Sequence, residues 1–211
     1  MNMFEIKYLS KVFETFYDDI VDYNITLDCD IENMIEDIEE RDYVVYAGAS
    51  KVVIFPAITN YVIKTTLDYD SDGAPINFDY CAREYENYKD AVKAGLGCFF
   101  AKTEYLGTIN GHNVYVQERL DLVEDLDINS YRRSDRGRYS TSYARGIGIC
   151  DSLADSIVCL YGTETYEKFV EFCEYKSIND LHVGNFVGIE GAPIIYDFSG
   201  YHGVNPKKNF N

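Results

Sequence analysis

Residues 43–66 constrain the fold of this chain more than any other stretch, because they contain three short runs of β-forming residues. The runs cover residues 43–47, 51–55 and 61–66 and are rich in Val, Ile, Tyr and Thr. Gly48-Ala49-Ser50 separates the first two runs, and an Asn-led turn precedes the third. Apolar runs bounded by turn residues are typical of strands. The stretch therefore predicts a three-stranded antiparallel meander.

Helical patterns lie on both sides of this meander. Residues 3–23 place apolar side chains at helical spacing, which indicates an amphipathic helix that packs against another element. Residues 30–41 begin with an Asp that can cap a helix and continue with an acidic helical pattern. Residues 78–94 return to the helical period after a polar loop. The first half of the chain therefore combines β-rich and helical segments.

Two further β-rich runs follow the last of these helices. They lie near residues 98–105 and 113–117, and the pair Asn110-Gly111 between them favours a hairpin turn. Helical patterns return over residues 144–161 and 164–175. We therefore expect a sheet of five antiparallel strands, followed by a helical half.

The fold class predicted from this order is α+β, with a β-rich lobe and an α-rich lobe. Residues 1–41 form N-terminal helices in this interpretation. Residues 42–119 form a β-rich lobe with one inserted helix. Residues 120–211 form a reduced α-helical lobe, which ends in a turn-rich loop and the short strand Pro193–Tyr196.

The charge balance limits the partners that we expect. The formal net charge of −17 disfavours direct binding to nucleic acid or to an anionic membrane, because the long-range field repels both. A solvated acidic surface and a surface that mimics nucleic acid for a basic partner both remain open. No apolar run approaches the ~20 residues that span a bilayer, and the six cysteines lack C-x-x-C spacing. We therefore expect a cytoplasmic protein with reduced thiols.

Basic residues cluster in one segment of this acidic chain. A local group of arginines can hold a phosphate or an acidic partner, and it can equally be a solvated polar loop. The segment NSYRRSDRGRYSTSYARG contains the arginines in question, which are Arg132, Arg133, Arg136, Arg138 and Arg145. We therefore regard this segment as a candidate acceptor or partner patch.

Lys64 and Glu84 form the first candidate pair. Lys64 lies in the apolar strand YVIKTT, where an ammonium group is costly without a partner. On the helix over residues 78–94, Glu84 shares the apolar face, whereas Glu86 shares the polar face. An inward lysine and an inward glutamate predict an ion pair. The alternative is a lysine that reaches solvent from an edge strand and a glutamate at the helix margin.

An acid, an amide and a second acid follow in the turn-rich loop near the end of the sequence. Asp180, Asn185 and Asp197 supply hard oxygen ligands of the kind that Mg²⁺ accepts, or one acid can take a proton from an attacking hydroxyl. The backbone N–H groups of Gly48-Ala49-Ser50 can approach phosphates closely. Together with Lys64, these features predict a metal-phosphate site suited to phosphoryl transfer. A loop whose polar groups are satisfied internally is the structural alternative.

The order of these features resembles the protein-kinase-like fold over roughly residues 42–203. The stretch Asp180-Leu181-His182-Val183-Gly184-Asn185 is similar to the D-L-H-x-x-N loop of aminoglycoside phosphotransferases and choline kinases. Asp197-Phe198-Ser199-Gly200 resembles the Asp-Phe-Gly segment with one residue inserted. Several motifs in the expected order carry more weight than any one of them.

The resemblance implies ATP and Mg²⁺ as cofactors and a role for each matching residue. Lys64, paired with Glu84, would hold the α- and β-phosphates, and Asp180 would be the catalytic base. Asn185 and Asp197 would hold the metal. The remaining nucleotide contacts would come from the turn Gly48-Ala49-Ser50, from Val62 above the adenine, and from Glu118 and Leu120 at the adenine edge.

The sequence also departs from the family pattern. Ile178 stands where the family usually has His or Tyr, and Gly48-Ala49-Ser50-Lys51 is a poor version of the glycine-rich loop. The sequence stops soon after Gly200, so we expect a minimal form in which the acceptor platform is reduced or replaced. Two functions therefore remain open. One is an ATP- and Mg²⁺-dependent phosphotransferase acting on a protein or small-molecule hydroxyl, and the other is a weak or inactive kinase-like protein that binds a protein partner through its acidic surface.

Overall fold

A computed structural model describes residues 1–28, 30–36, 41–120, 148–179, 181–188 and 192–200. Helices and an antiparallel sheet make the protein α+β, as predicted. The chain divides into two compact units. The first unit consists of Met1–Tyr85 and Lys102–Arg119, and the second consists of Glu86–Ala101 and Leu120–Asn211.

The first unit contains a five-stranded sheet. All neighbouring strands are antiparallel, and their order is β1-β2-β3-β5-β4. The predicted meander and the predicted number of strands in the sheet are therefore confirmed. The strands are β1 (Tyr43–Ala47), β2 (Lys51–Pro56), β3 (Tyr61–Thr66), β4 (Thr103–Ile109) and β5 (His112–Glu118).

The hairpin between β4 and β5 turns at Asn110 and Gly111, as predicted. Both residues have positive φ angles, 50° and 86°, which is the backbone that Asn-Gly pairs adopt most readily in a tight hairpin. The predicted start of β4 near residue 98 was wrong, because β4 begins at Thr103 and Gly97–Phe99 forms a 3-10 turn. Phe99 of that turn and the next residues, Phe100 and Ala101, belong to the core of the second unit, so their hydrophobicity does not indicate a strand.

Two helices cover one face of this sheet. Helix α1 (Met3–Asp22) begins at an Asn2 cap and packs its apolar stripe on the sheet, while helix α2 (Ile31–Glu36) is a short element before β1. The predicted helix over residues 30–41 is shorter than expected, since Arg41 lies outside any helix. The shared core contains Leu9, Phe13, Phe16 and Ile20 from α1, and Val52, Ile54, Ile63, Val114 and Val116 from the sheet.

Helix α3 (Tyr80–Lys93) follows the meander and contains the boundary between the two units. Its predicted apolar face is confirmed, since Cys81, Glu84 and Ala91 are fully buried. Glu86 lies on the exposed face, with 58% of its side chain accessible. The helical period of this segment therefore identified correctly which acid points inward.

The second unit has a helical core with a small β-hairpin. Helix α4 (Asp151–Tyr161) and helix α5 (Thr163–Lys176) pack together around buried aromatic rings. Strands β6 (Phe186–Val187) and β7 (Ile194–Ile195) form an antiparallel pair. The predicted strand over residues 193–196 is therefore present in a shorter form.

The predicted start of α4 at residue 144 was wrong for the part that the structure describes. Residues 148–150 are not helical, and the Cys150 N–H donates to the Leu181 carbonyl oxygen at 3.0 Å. Ile149 and Leu181 form an isolated parallel bridge. This contact with a distant segment keeps the backbone extended, although the apolar spacing alone favours helix.

The compact units group the chain differently from the predicted segments. Residues 1–41 do not stand apart, because α1 and α2 share a core with the sheet. Residues 86–101 belong to the helical unit, whereas the sequence interpretation placed them in the β-rich lobe. In the part of the chain that the structure describes, no helix has both the length and the apolar character required to cross a bilayer.

Candidate functional site

The first unit holds a buried ion pair between Lys64 and Glu84. Lys64 lies on β3 and Glu84 lies on α3, and the Lys64 Nζ donates to Glu84 Oε2 at 3.0 Å. Only 5% of the Lys64 side chain and none of the Glu84 side chain is exposed. The predicted pairing of an inward lysine with an inward glutamate is therefore present.

A second lysine contacts the other oxygen of the same carboxylate. Lys51, the first residue of β2, donates from Nζ to Glu84 Oε1 at 2.5 Å, and 8% of its side chain is exposed. In the β2–β3 register Val53 pairs with Lys64, and side chains two positions apart share a face, so Lys51 and Lys64 lie on the same side of the sheet. Lys51, Glu84 and Lys64 form a buried cluster, which we call the Lys-Glu-Lys triad.

The sequence interpretation missed the role of Lys51, although the signal was present. Lys51, Val53 and Phe55 alternate with Val52 and Ile54, and Val52 and Ile54 pack in the core with α1. The alternation places Lys51 on the opposite face of β2 from that core. Two paired strands that each carry a lysine on this same face indicate that the two lysines share an anionic partner.

The immediate neighbour of the triad on α3 is neutral. Cys81 is fully buried one turn before Glu84, and burial raises the pKa of its thiol to about 12, with the Glu84 charge as the second cause. Burial also raises the pKa of Tyr115 on β5, to which the nearby Asp79 carboxylate contributes. At neutral pH the Cys81 thiol and the Tyr115 phenol therefore remain protonated and add no negative charge.

Asp79 fixes the start of helix α3 and therefore the position of Glu84. Its Oδ1 accepts a hydrogen bond from the Ala82 N–H at 2.8 Å, which is the bond of a helix N-cap. The same oxygen accepts from the Thr66 hydroxyl on β3 at 3.1 Å. Its Oδ2 accepts from Asn113 Nδ2 on β5 at 3.0 Å. The sequence interpretation missed this residue because it began the helix at residue 78, although Asp before a helical pattern is a common cap.

The other predicted nucleotide contacts also belong to the described part of the chain. The Gly48 N–H donates to the Lys51 carbonyl oxygen at 2.9 Å and closes the β1–β2 turn, so only the N–H groups of Ala49 and Ser50 remain candidates for phosphate. Val62 is 5% exposed and lies on the same face of β3 as Lys64. Glu118 is half-buried, and its Oε1 accepts from the Lys102 N–H at 2.8 Å.

Leu120, the other residue assigned to the adenine edge, belongs to the second unit and packs against its core. It is half-buried. Its role, like that of Val62 and Glu118, stays a prediction.

In the second unit, the structure brings Asn185 and Asp197 to the same end of one hairpin. Asn185 immediately precedes β6, and Asp197 follows Tyr196 just beyond β7. The Tyr196 N–H donates to the Asn185 carbonyl oxygen at 2.9 Å. Because the two strands are antiparallel, the residue before the first and the residues after the second lie at one end. An amide and a carboxylate at this end match the oxygen ligands that Mg²⁺ takes.

The backbone around Asp197 is fixed by three buried contacts. Asn87, only 3% exposed, donates from Nδ2 to the Phe198 carbonyl oxygen at 2.9 Å. The Phe198 ring is fully buried and packs edge-on against Phe100, with 5.0 Å between ring centroids. Gly200 has φ +76°, and a Cβ there would lie 2.2 Å from the Ser177 carbonyl oxygen. A residue with a side chain therefore does not fit at Gly200 without a backbone shift.

The loop before β6 is held by one of its own side chains and by Tyr196. His182 Nδ1 accepts a hydrogen bond from the Gly184 N–H at 2.9 Å, and the Tyr196 hydroxyl donates to the Gly184 carbonyl oxygen. Burial raises the pKa of Tyr196, and the negative charge of Asp197 is the second cause. Gly184 of this loop is therefore tied to Tyr196, next to the residue that the resemblance assigns to the metal.

Several predicted site residues lie outside the described residues. These are Asp180, the predicted base, and the arginines of the candidate partner patch, which are Arg132, Arg133, Arg136, Arg138 and Arg145. Within the described ranges, no group of three or more His, Cys, Asp or Glu side chains is placed to hold a metal ion. The predicted metal set contains one amide and does not depend on such a group.

Comparison with protein families, with curated proteins and with solved structures gives no match for this chain. The candidate site is therefore defined by the geometry of its own residues.

Proposed function

We propose that this protein is a kinase-like phosphotransferase that uses ATP and Mg²⁺ and transfers a phosphoryl group to a hydroxyl of a protein or a small molecule. The observation that carries the proposal is the buried pairing of Lys64 on a strand with Glu84 on the following helix. Phosphoryl transfer needs fixed positive charge and correct positioning, with little covalent chemistry by the protein.

The cost of burying this pair supports a functional interpretation. Moving charged groups out of water is expensive, and an apolar replacement of similar volume is often at least as stable. A pair that is only 5% and 0% exposed is therefore weakly explained by stability alone. An ammonium group whose position is fixed by a carboxylate is suited to neutralise the charge of a bound phosphate.

The second unit supplies the residues that the proposal assigns to the metal. Asn185 and Asp197 would hold Mg²⁺ through their side-chain oxygens, and the ion would supply charge neutralisation at the phosphates. The buried bond from Asn87 to the Phe198 carbonyl holds the backbone next to Asp197. Asp180 keeps the role of base that the resemblance implies.

Nucleotide binding tests the first half of this proposal. Thermal unfolding with ATP and Mg²⁺ should show a concentration-dependent rise in Tm, because a ligand of the native state stabilises it by mass action. Lys64→Met should remove this shift, whereas Lys102→Met, at an exposed lysine just before β4, should retain it. The proposal is abandoned if millimolar ATP with Mg²⁺ leaves the wild-type Tm unchanged.

Phosphate transfer tests the second half. With γ-labelled ATP, the wild-type protein should label itself or a protein or small-molecule acceptor from an extract. Asp180→Asn should retain nucleotide binding and lose the transfer, and Asp197→Ala should lose the Mg²⁺-dependent part of binding. Asp18→Asn, on the exposed face of α1, serves as the matched control. Binding without transfer in the wild-type protein would replace this proposal with that of a nucleotide-binding protein that engages a partner.

A further inference from the structure

We propose that Asn87 is a positioning residue for the metal. Its side chain holds the backbone at Phe198, so that the Asp197 carboxylate is set to bind Mg²⁺. This inference rests on the proposed function, because it concerns the metal that the proposed function assigns to the second unit. All three residues belong to that unit, and neither the sequence motifs nor the kinase resemblance selects Asn87.

The segment that carries Asp197 has no regular secondary structure to fix it. Strand β7 ends at Ile195, and residues 196–200 lie outside any helix or strand. A carboxylate that binds a metal tightly must nevertheless be held in position, because a ligand that becomes ordered only on binding lowers the affinity. Individual contacts with other segments therefore have to supply the order that a helix or strand would otherwise provide.

Asp197 lies between two backbone groups that each make a hydrogen bond to another segment. On its N-terminal side, the Tyr196 N–H donates to the Asn185 carbonyl oxygen at 2.9 Å. On its C-terminal side, the Phe198 carbonyl oxygen accepts from Asn87 Nδ2, also at 2.9 Å. The first bond lies at the end of the β6–β7 hairpin, whereas the second comes from helix α3. Asn87 therefore tethers the side of Asp197 that lies beyond the hairpin.

The burial of Asn87 favours a role in holding this backbone. Asn87 is 3% exposed, and Ala91, one turn further along α3, is fully buried. Away from water a hydrogen bond is stronger, and an amide without a partner is costly. An apolar side chain of similar volume would fill the same space and would have no amide to satisfy. The asparagine at this position is therefore better explained by the carbonyl that it holds than by packing alone.

Substitution of Asn87 changes geometry and leaves the charge of the metal site unaltered. Asn87→Leu has a similar volume and no donor, whereas Asn87→Gln keeps the amide on a side chain that is one methylene longer. Partners that orient a metal ligand typically change metal affinity by about 10- to 100-fold when they are removed. The expected signature is therefore a loss that affects the contribution of the metal and spares the other contacts of the nucleotide.

Isothermal titration of the full chain with ATP, in excess Mg²⁺ and in EDTA, measures this contribution. The ratio of the two affinities is the gain from Mg²⁺, and Asp197→Ala defines its complete loss. We expect Asn87→Leu to reduce the gain by about 10- to 100-fold with unchanged affinity in EDTA, and Asn87→Gln to recover part of it. Val170→Ala, at a 3% exposed residue of α5, is the control for lost packing in the same unit and should keep the full gain.

Hydrogen exchange tests the positioning without any ligand. Exchange of the amides in residues 194–200, followed by mass spectrometry, reports how readily this segment opens. We expect faster exchange there in Asn87→Leu than in the wild type or in Asn87→Gln. Circular dichroism checks that each variant is folded. If Asn87→Leu is unfolded, Asn87→Ser replaces it, because the serine hydroxyl is one bond shorter than the asparagine amide, and the same losses are expected.

Three results overturn the inference and leave the proposed function in place. The first is a folded Asn87→Leu protein with the same gain from Mg²⁺ as the wild type. The second is an equal loss of the gain in Asn87→Leu and Val170→Ala, which assigns the effect to reduced stability. The third is a loss of the gain without faster exchange of residues 194–200, which contradicts positioning through the backbone.

Failure of the proposed function gives a different result. If the wild type binds ATP equally in Mg²⁺ and in EDTA, Asp197 is not a metal ligand, and the inference falls together with the metal part of the proposal. If the wild type binds no ATP in either condition, the whole proposed function is lost. Faster exchange in Asn87→Leu would then show that Asn87 only stabilises the segment, which also overturns the inference.

Discussion

Two carboxylates of helix α3 each contact two lysines, but the two clusters differ in burial. In the first unit, Glu84 is fully buried and contacts Lys51 and Lys64, which are 8% and 5% exposed. In the second unit, Asp90 is 32% exposed and contacts Lys93 and Lys176. Each cluster pairs one carboxylate with two lysines, so the contrast shows how burial changes what such a cluster contributes.

The comparison separates a candidate site from an ordinary surface interaction. An exposed pair gains little, because water screens the charges and the long side chains lose entropy. A buried cluster must recover a large desolvation cost, and it responds strongly when one partner is removed. The cluster around Asp90 is therefore expected to join helix ends and to contribute modestly to stability. Stability alone does not explain the buried Lys-Glu-Lys triad.

Removal of Glu84 should have the largest effect. Glu84→Ala leaves two buried ammonium groups without their shared carboxylate, and we expect the free energy of unfolding to fall by about 3–5 kcal/mol. Urea denaturation measures this loss. Glu86→Ala on the exposed face of the same helix is the control, and it should stay within about 0.5 kcal/mol of the wild type. An equal loss of stability in the two variants would contradict the distinction between the buried and the exposed face of α3.

Replacement of the whole triad should recover most of that loss. Lys51→Met, Glu84→Leu and Lys64→Met together remove every charge of the cluster, and the triple variant should unfold within about 2 kcal/mol of the wild type. The same urea denaturation compares it with Glu84→Ala. A triple variant no more stable than Glu84→Ala would show that the charges are needed for folding, which would weaken the argument that they are retained for binding.

Asp90→Asn should have a smaller effect that depends on pH. Burial acts to raise the pKa of Asp90, but hydrogen bonds from Lys176 and Lys93 outweigh it and lower the pKa below the ordinary value of 3.8. The folded state therefore prefers the charged form, and the resulting stability is present above about pH 4 and lost as the pH falls. We expect a loss of about 0.5–1 kcal/mol at pH 7, reduced by solvent screening, and less below pH 3. A loss that stays constant from pH 7 to pH 2 would contradict the electrostatic explanation.

Salt should produce the smallest effect and separate the two clusters directly. A rise from 0.1 M to 1 M NaCl shortens the Debye length from about 10 Å to about 3 Å, which screens exposed charges far more than buried ones. The difference in the free energy of unfolding between wild type and Asp90→Asn should shrink by a few tenths of a kcal/mol. The difference between wild type and Glu84→Ala should change little. A large salt dependence of the Glu84 effect would mean that water reaches the triad freely.

The parts of the fold that the sequence predicts well depend on local signals. The runs over residues 43–66 carry β-forming residues between turns, and the observed strands match them within one residue. The periodicity of α3 identified the inward face because Glu84 and Cys81 are one turn apart. The Asn110-Gly111 turn was equally clear, since it requires positive φ at two successive residues.

The parts that the sequence predicted poorly depend on contacts between distant segments. The apolar residues near Phe99 were interpreted as a strand, because nothing local shows that they fill the core of a helical unit. The Lys51–Glu84 bond joins residues 33 positions apart and follows from the strand register. The hydrogen bond from Asn87 to the Phe198 carbonyl joins residues 111 positions apart, and no sequence pattern near Asn87 predicts it. The local sequence therefore reveals the motifs, but it does not reveal the long-range contacts that position them.

The packing of α1 on the sheet has a consequence for synthesis on the ribosome. Leu9, Phe13 and Phe16 emerge from the ribosome before their core partners Val114 and Val116 on β5. At about 5–20 residues per second, roughly 100 residues of further synthesis leave this apolar stripe without its complete partner for about 5–20 s. The nascent chain therefore exposes this apolar stripe during that interval, and we expect any co-translational binding by a chaperone to depend on the Phe13 and Phe16 side chains.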